Sequence, residues 1–300
     1  MSQTSIGFST GDDRRQAARQ RFQASRCTPQ RPKEIRLRQP LASRLDWLPN
    51  RAPTTRQGDL EQCLADQPTR MESLNMKLYM HPVSTACRPV RLFAAENKIA
   101  MDEELVDLMT GAHLKPPYST INPNSLVPML EDGDLKLTEC SAILKYLADK
   151  NGSPAYPKDF KARAKVNEVM DWINTNLYRE FGYNLCYPQI FPQLKRRSDE
   201  AQAATLEIGQ ANAKRWLKVL NDYWLGPNKT YLCGNDISIA DYLGSCIVTL
   251  GDIIGIDFSP YPNIKRWLDA MKKLPSWPKV NEVFDGFAQS VKGQKFVTLA

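Results

Sequence analysis

Strand-forming signals in this chain end near residue 138. Three short runs carry them: KLYMH after Met76, EELVDL from Glu103, and VPMLEDGDLKL from Val127. Beyond residue 160 the apolar residues recur only at helical spacing. Val166, Met170, Ile173 and Leu177 form one stripe, and Leu217, Leu220 and Trp224 form another. A polypeptide divided in this way cannot spread one sheet along its length. It has to build a small sheet early and a helical body late, with each burying its own apolar face.

The early part reads in detail. KLYMH is a short strand closed by Pro82, and residues 85–97 follow as a helix with Val90, Phe93, Ala94 and Asn97 at its spacing. Pro89 has to lie in that helix's first turn. EELVDL is the second strand. A stretch with Pro116, Pro117 and INPNS follows, partly helix-like. Val127–Leu130 and Leu135–Leu137 then form a hairpin about Asp132–Gly133. ECSAILKYLADK is a helix with Ile143, Tyr146 and Leu147 on one face, stopped by Asn151–Gly152. The order is βαβαββα over residues 76–150. Residues 151–160 are a proline-bearing linker, and residues 161–300 are an all-helical domain. Within it, Ser238-Ile-Ala-Asp241 has the form of a capping box, with Ile237 and Tyr242 at the staple positions. That motif is assigned to folding rather than to chemistry.

Residues 1–75 differ in texture. They hold 13 Lys and Arg against 8 Asp and Glu, most of the chain's +7 balance, with six scattered prolines and no persistent apolar face. Such a segment cannot bury enough surface to offset its ordering entropy, so a basic, disordered extension is expected. It lacks the apolar core of a signal peptide. Asp12 and Asp13 weigh against an organelle transit peptide, and a misassigned start before Met76 is the third reading. The rest of the chain is nearly neutral, which gives no reason to expect nucleic acid. The most apolar stretch, Tyr242 to Phe258, is interrupted by Asp252, and no membrane span is expected. Seven cysteines without a CxxC point to a reducing compartment. With only two histidines, His81 and His113, no metal site is expected.

Three local features converge. Ser84, in PVSTACR, sits where the first strand turns into a helix, and unpaired N–H groups there present partial positive charge. Val127-Pro128 precedes a strand, and a cis bond there would leave the Val127 backbone open to a peptide-like ligand. Thr138-Glu139-Cys140 opens a helix whose N–H groups suit a carboxylate, while the Glu139 side chain suits an ammonium. Together they suit an extended, zwitterionic, thiol-bearing peptide.

On these motifs the stretch from Met76 to about Phe287, about 210 of 300 residues, resembles a cytosolic glutathione S-transferase. It is most similar to the theta class and its bacterial relatives of the dichloromethane dehalogenase type. The likeness rests on LYMHPVSTACR, on the run from GAHL through INPNSLVPML to DGDLKLTECSAILKYL, and on YLCGNDISIADY. It implies a thioredoxin-like domain followed by a helical bundle that takes the electrophile. It implies Ser84 as the catalytic serine, His113 at the glycine end of glutathione, Val127 and Pro128 at the cysteinyl unit, and Glu139 at the γ-glutamyl end. Cys140 stands where the family usually has serine, and its thiol, a weaker donor than a hydroxyl, should loosen binding. Leu126 stands where theta enzymes often have lysine. Glutathione is then a co-substrate, no cofactor is implied, and a cytoplasmic homodimer is expected.

Trp172, Tyr178 and Phe181 are candidates for the electrophile side. Three alternatives stay open. Tyr79 on the first strand could activate the thiol in place of Ser84. Cys87, three after Ser84, invites comparison with a redox CxxC. A non-catalytic, transferase-like interaction module is the alternative to an enzyme.

Overall fold

The computed structural model describes residues 76–299, and the expectations for residues 1–75 fall outside the described residues. A four-stranded sheet has the order β2-β1-β3-β4, built from β1 (Met76–Met80), β2 (Met101–Leu105), β3 (Met129–Asp132) and β4 (Leu135–Thr138). β2 runs parallel to β1, whereas β3 is antiparallel to both β1 and β4. Leu78 pairs with Leu130, which pairs with Leu137, so apolar residues line up across the sheet.

Helix α1 (Cys87–Glu96) makes the β1-to-β2 crossover, with Pro89 in its first turn. After β2 come a 3₁₀ turn at Ala112–Leu114 and the short α2 (Tyr118–Ile121). Helix α3 (Cys140–Lys150) closes the unit. Leu78, Leu92, Phe93, Leu130, Ile143 and Leu147 are fully buried between sheet and helices. Tyr146 is half-buried and instead donates to Asp132 Oδ2 at 2.5 Å.

Two strand positions differ from the sequence reading. β2 begins two residues before EELVDL, because Asp102, Glu103 and Glu104 occupy an exposed edge strand where side chains need no apolar neighbour. β3 begins at Met129 rather than Val127.

The helical part starts at α4 (Phe160–Trp172), capped by Asp159, whose carboxylate accepts from Ala162 N at 2.9 Å. Without a break α4 widens into a π-helix over Ile173–Cys186, followed by α5 (Tyr187–Ile190). The long α6 (Asp199–Val219) ends in a second π-helical stretch, Leu220–Leu225. Its close approach to the first π-helix depends on Gly209. A Cβ at that position would lie 2.5 Å from the Asn184 carbonyl oxygen.

Then follow α7 (Ile239–Val248), α8 (Leu250–Ile254), α9 (Pro262–Met271) and α10 (Trp277–Ser290). All ten residues of α7 are buried, so this helix is the axis of the bundle. Its start is fixed by the capping box. Asp241 Oδ2 accepts from Ser238 N at 2.8 Å and Ser238 Oγ at 2.7 Å, while Oδ1 accepts from Leu232 N at 2.8 Å and Trp267 Nε1 at 3.0 Å. Burial pushes this carboxyl's pKa upward, and the four donors pull against it.

The two parts share one core. Phe93 on α1 meets Tyr242 on α7 edge-on, with ring centroids 5.3 Å apart. Arg88, also on α1, is wholly buried. Its guanidinium donates to Thr249 Oγ1 at 3.2 Å, Asn281 Oδ1 at 2.8 Å and the Cys246 carbonyl at 2.6 Å, and it lies 3.5 Å from the Phe284 ring centroid.

Candidate functional site

Between the sheet unit and the helices lies a cavity of about 390 Å³. Its polar wall comes from loops of the sheet unit. Ser84 sits in the turn after β1, where its N–H bonds to the His81 carbonyl at 3.0 Å. Its own carbonyl accepts from Cys87 N and Arg88 N, both at 3.1 Å, and so takes the first bonds of α1. That leaves the side chain at the helix mouth, half-buried and lining the cavity.

Val127 lies beside a cis bond to Pro128. Nearby, the Leu126 carbonyl takes two hydrogen bonds, from Tyr118 OH at 2.5 Å and from Asn122 Nδ2 at 2.8 Å. The N–H and C=O of Val127 take none among the described residues. An extended peptide laid along this edge would find one free donor and one free acceptor, as in β-augmentation.

Glu139 stands at the N-cap of α3 with φ 67° and ψ 114°, a backbone conformation that a non-glycine residue adopts at a cost. Its side chain is exposed and its carbonyl accepts from Ile143 N at 3.0 Å. Cys140 and Ser141 follow in the first turn, where helix N–H groups have no partner inside the helix. Burial holds the Cys140 thiol well above its ordinary pKa, so it stays protonated at neutral pH. Ser141 Oγ accepts from Asn174 Nδ2 at 2.7 Å, a link across to the helical part. His113, in the 3₁₀ turn, lines the same cavity, and its Nδ1 is buried with no hydrogen-bond partner among the described residues.

The opposite wall is mostly apolar. Leu243 and Ile247 of α7, Leu250 and Ile253 of α8, and Phe284 and Phe287 of α10 line it. Tyr178, Tyr183 and Tyr187 complete it. Tyr178 and Tyr183 are five residues apart, the repeat of the π-helix that carries them, and their ring centroids lie 5.1 Å apart. Gly182 makes room for this stack, since a Cβ there would lie 2.6 Å from the Tyr178 ring.

Ser84, His113, Val127, Pro128, Glu139 and Cys140, the residues singled out from sequence, therefore share one cavity. Of the three aromatic candidates only Tyr178 lines it. Trp172 packs edge-on against Trp216 at 6.2 Å and beside Trp224 at 5.4 Å, and Phe181 is fully buried in the core. Both were legible as aromatics on a helix, but Trp172 packs against Trp216 and Trp224 and Phe181 faces the core. Tyr183, Tyr187 and the α7 residues carried no sequence signal beyond being apolar or aromatic.

The rivals to Ser84 stand elsewhere. Tyr79 does not line the cavity, and its hydroxyl donates to Glu131 Oε2 at 3.1 Å on the neighbouring strand. Cys87 is completely buried without a disulfide partner among the described residues, and burial pushes its thiol up to about 11. Such a thiol is a poor nucleophile at neutral pH.

Residues 74–149 match the glutathione S-transferase N-terminal domain family, and residues 185–275 match the C-terminal domain family. The human glutathione S-transferase theta-1 is 39% identical over 201 residues, 65% of this chain and 81% of the relative. The Arabidopsis thaliana glutathione S-transferase T3 is 33% identical over 70% of this chain and 37% of its own length. Among solved structures, human glutathione S-transferase T1-1 in its apo form superposes with a TM-score of 0.62 at 32% identity, covering 72% of this chain and 91% of that one. A delta-class transferase of Nilaparvata lugens gives 0.60 at 32% identity, covering 72% and 98%.

Proposed function

The chain belongs to the glutathione S-transferase family and is a glutathione transferase with theta-class relatives, and on that premise we propose that Ser84 holds the glutathione sulfur as a thiolate for attack on an electrophilic carbon. The observation that carries this reading is the shared cavity. Six residues from four separate segments line it on one side, facing an apolar wall fit for an uncharged second substrate.

The tripeptide would lie extended. Its γ-glutamyl carboxylate meets the first N–H groups of α3, and its ammonium meets the Glu139 carboxylate. The cysteinyl backbone pairs with Val127. The glycyl carboxylate takes the unpartnered His113 nitrogen.

The sulfur then lies at the mouth of α1. A free thiol with a pKa near 8.5 is only about 3% ionised at pH 7. Lowering that pKa by roughly two units requires about 2.7 kcal/mol of preference for the thiolate. One hydroxyl hydrogen bond to an anion supplies roughly 1.5–3 kcal/mol, so Ser84 and the helix terminus suffice together. Ser84 donates a hydrogen bond and keeps its proton, and the thiol proton leaves to solvent. The thiolate forms a C–S bond as a halide departs, an epoxide opens or an activated alkene accepts the sulfur. In this reading glutathione is a co-substrate and no metal or other cofactor takes part.

By the same family resemblance the working form is a cytoplasmic homodimer, which light scattering would check. Among the described residues no helix is long and apolar enough to cross a membrane.

The test is an ultraviolet titration of bound glutathione in wild type and Ser84→Ala. The variant should raise the apparent thiol pKa by about 1–2 units. A bound thiol that ionises at the same pH in both proteins overturns the role given to Ser84.

A further inference from the structure

The cavity is lopsided in charge. Among the described residues that line it, Glu139 supplies a carboxylate, and none is a lysine or an arginine. The tripeptide brings two carboxylates and one ammonium. In the pose given above, Glu139 answers the ammonium and the N–H groups of α3 answer the γ-glutamyl carboxylate, so both charges at that end are met. The glycyl carboxylate has only His113.

The other groups at that end are neutral. Leu108 and Met109 lead into the 3₁₀ turn that carries His113, and Asn124 and Leu126 come from the loop before Val127; all four line the cavity. The amide of Asn122 is already committed. Its Nδ2 donates to the Leu126 carbonyl at 2.8 Å and to Tyr118 OH at 3.3 Å, and its Oδ1 accepts from Asn124 N at 3.1 Å. Lys115, two residues after His113, is exposed and does not line the cavity. Met109 and Leu126 are each 61% exposed, so the rim here is apolar and open to solvent.

Resting on the Ser84 reading and deepening its thiol side, we infer that the site reads the γ-glutamylcysteinyl part of its co-substrate and leaves the glycyl charge unread, so that a tripeptide whose last carboxylate is masked as an amide is taken on equal terms.

The chemistry of His113 suits that choice. An imidazole nitrogen donates to a carbonyl oxygen when it carries the proton and accepts from an amide N–H when it does not. An ammonium or guanidinium only donates, and it gains most from a full negative charge. A carboxylate brought from water into neutral surroundings loses hydration with no opposite charge to replace it, and an amide loses less. The open rim at Met109 and Leu126 leaves room for a substituent on the amide nitrogen.

The experiment is calorimetric binding to the full chain at low salt, where charge effects are least screened. The ligands are S-methylglutathione and its glycyl methylamide, whose capped sulfurs keep thiol ionisation out of the comparison. The two dissociation constants should agree within about fivefold. A cation paired with the free carboxylate would favour the acid by roughly tenfold or more. An amide that binds more than about fivefold weaker than the acid therefore overturns the inference, and the Ser84 reading survives it. Leu126→Lys puts a cation on the exposed rim and should move the ratio about twofold to fivefold toward the acid. A ratio unmoved by that change also overturns the inference, because the glycyl end then lies elsewhere. A wild-type chain that binds neither ligand overturns both this inference and the glutathione site on which it rests.

Discussion

Removing the Asp241 carboxylate should unfold the helical part more readily than any surface change. Its two oxygens accept four hydrogen bonds, from Leu232 N, Trp267 Nε1, Ser238 N and Ser238 Oγ, at 2.7–3.0 Å. Asp241 is fully buried, so water cannot replace it cheaply. In Asp241→Ala the serine hydroxyl can rotate to another acceptor, but three N–H donors are stranded. At about 1–2 kcal/mol each, with about 1 kcal/mol for the space left behind, the loss is about 4–7 kcal/mol. Relief from burying a charge offsets part of this, leaving about 3–5 kcal/mol. Asp241→Asn should cost less. With its oxygen toward Leu232 and Trp267, its amide faces Ser238. The serine hydroxyl can turn to accept, and one donor is stranded at about 1–3 kcal/mol. Urea unfolding of the two variants, followed by tryptophan fluorescence, gives both numbers. Ala within about 1 kcal/mol of wild type, or Asn worse than Ala, would refute the reasoning that stranded donors set the cost.

Other expectations follow from single positions. Glu139→Gly relieves a disfavoured backbone and removes a carboxylate, so Tm should rise by about 2–4 °C for a net gain near 1 kcal/mol. Glutathione affinity, read by calorimetry, should fall at least about tenfold in the same protein. Gly209→Ala drives a methyl against the Asn184 carbonyl oxygen, 2.5 Å from its ideal position, and neither backbone yields easily. Denaturant titration should show a loss of about 1–3 kcal/mol despite the better helix propensity of alanine. Arg88→Met takes the donor from Thr249, Asn281 and the Cys246 carbonyl, and should cost about 2–4 kcal/mol by thermal unfolding, with Arg88→Lys between it and wild type.

The polar wall of the cavity was legible because each of the residues singled out there belongs to a local motif. Ser84 follows from a strand that ends in a turn and a helix. Glu139 follows from a helix start, and Val127 from a proline before a strand. Local sequence determines such features, and the fold only has to bring them together. The apolar wall depends on register instead. A reader assuming 3.6 residues per turn puts Trp172 and Phe181 on the same helix as Tyr178 with no means of telling which faces the opening. In the π-helix the alignment is five residues, so Tyr183 stacks on Tyr178 while Phe181 turns into the core. Nothing in LYREFGYN announces that widening, although Gly182 marks where a neighbour comes close. The second strand was misplaced for a related reason. EELVDL holds the apolar pair Leu105–Val106, but the pairing with β1 begins at Met101, in a segment whose charges are tolerated only because it is an edge.

Arg88 shows why the serine turn and the helical bundle act as one object. A cation one turn after Ser84 reads as a solvated side chain, yet it is wholly enclosed by neutral acceptors from α7, from Thr249 after it, and from α10, with the Phe284 ring beneath it. Burial lowers its pKa, and the Asp285 carboxylate pulls only partly against that desolvation. Such a group tolerates little displacement, since each acceptor it leaves is stranded in the core. α1 is therefore pinned to the helical part at its first turn, directly after the Ser84 turn that lines the cavity. The position of the Ser84 hydroxyl relative to Tyr178 and Tyr187 is set by that pin, not by the sheet alone. The chemistry asked of the cavity needs a thiolate on one wall and an electrophile on the other, a few ångströms apart. A rigid tie between the walls, one turn from the serine, holds that distance before either substrate arrives.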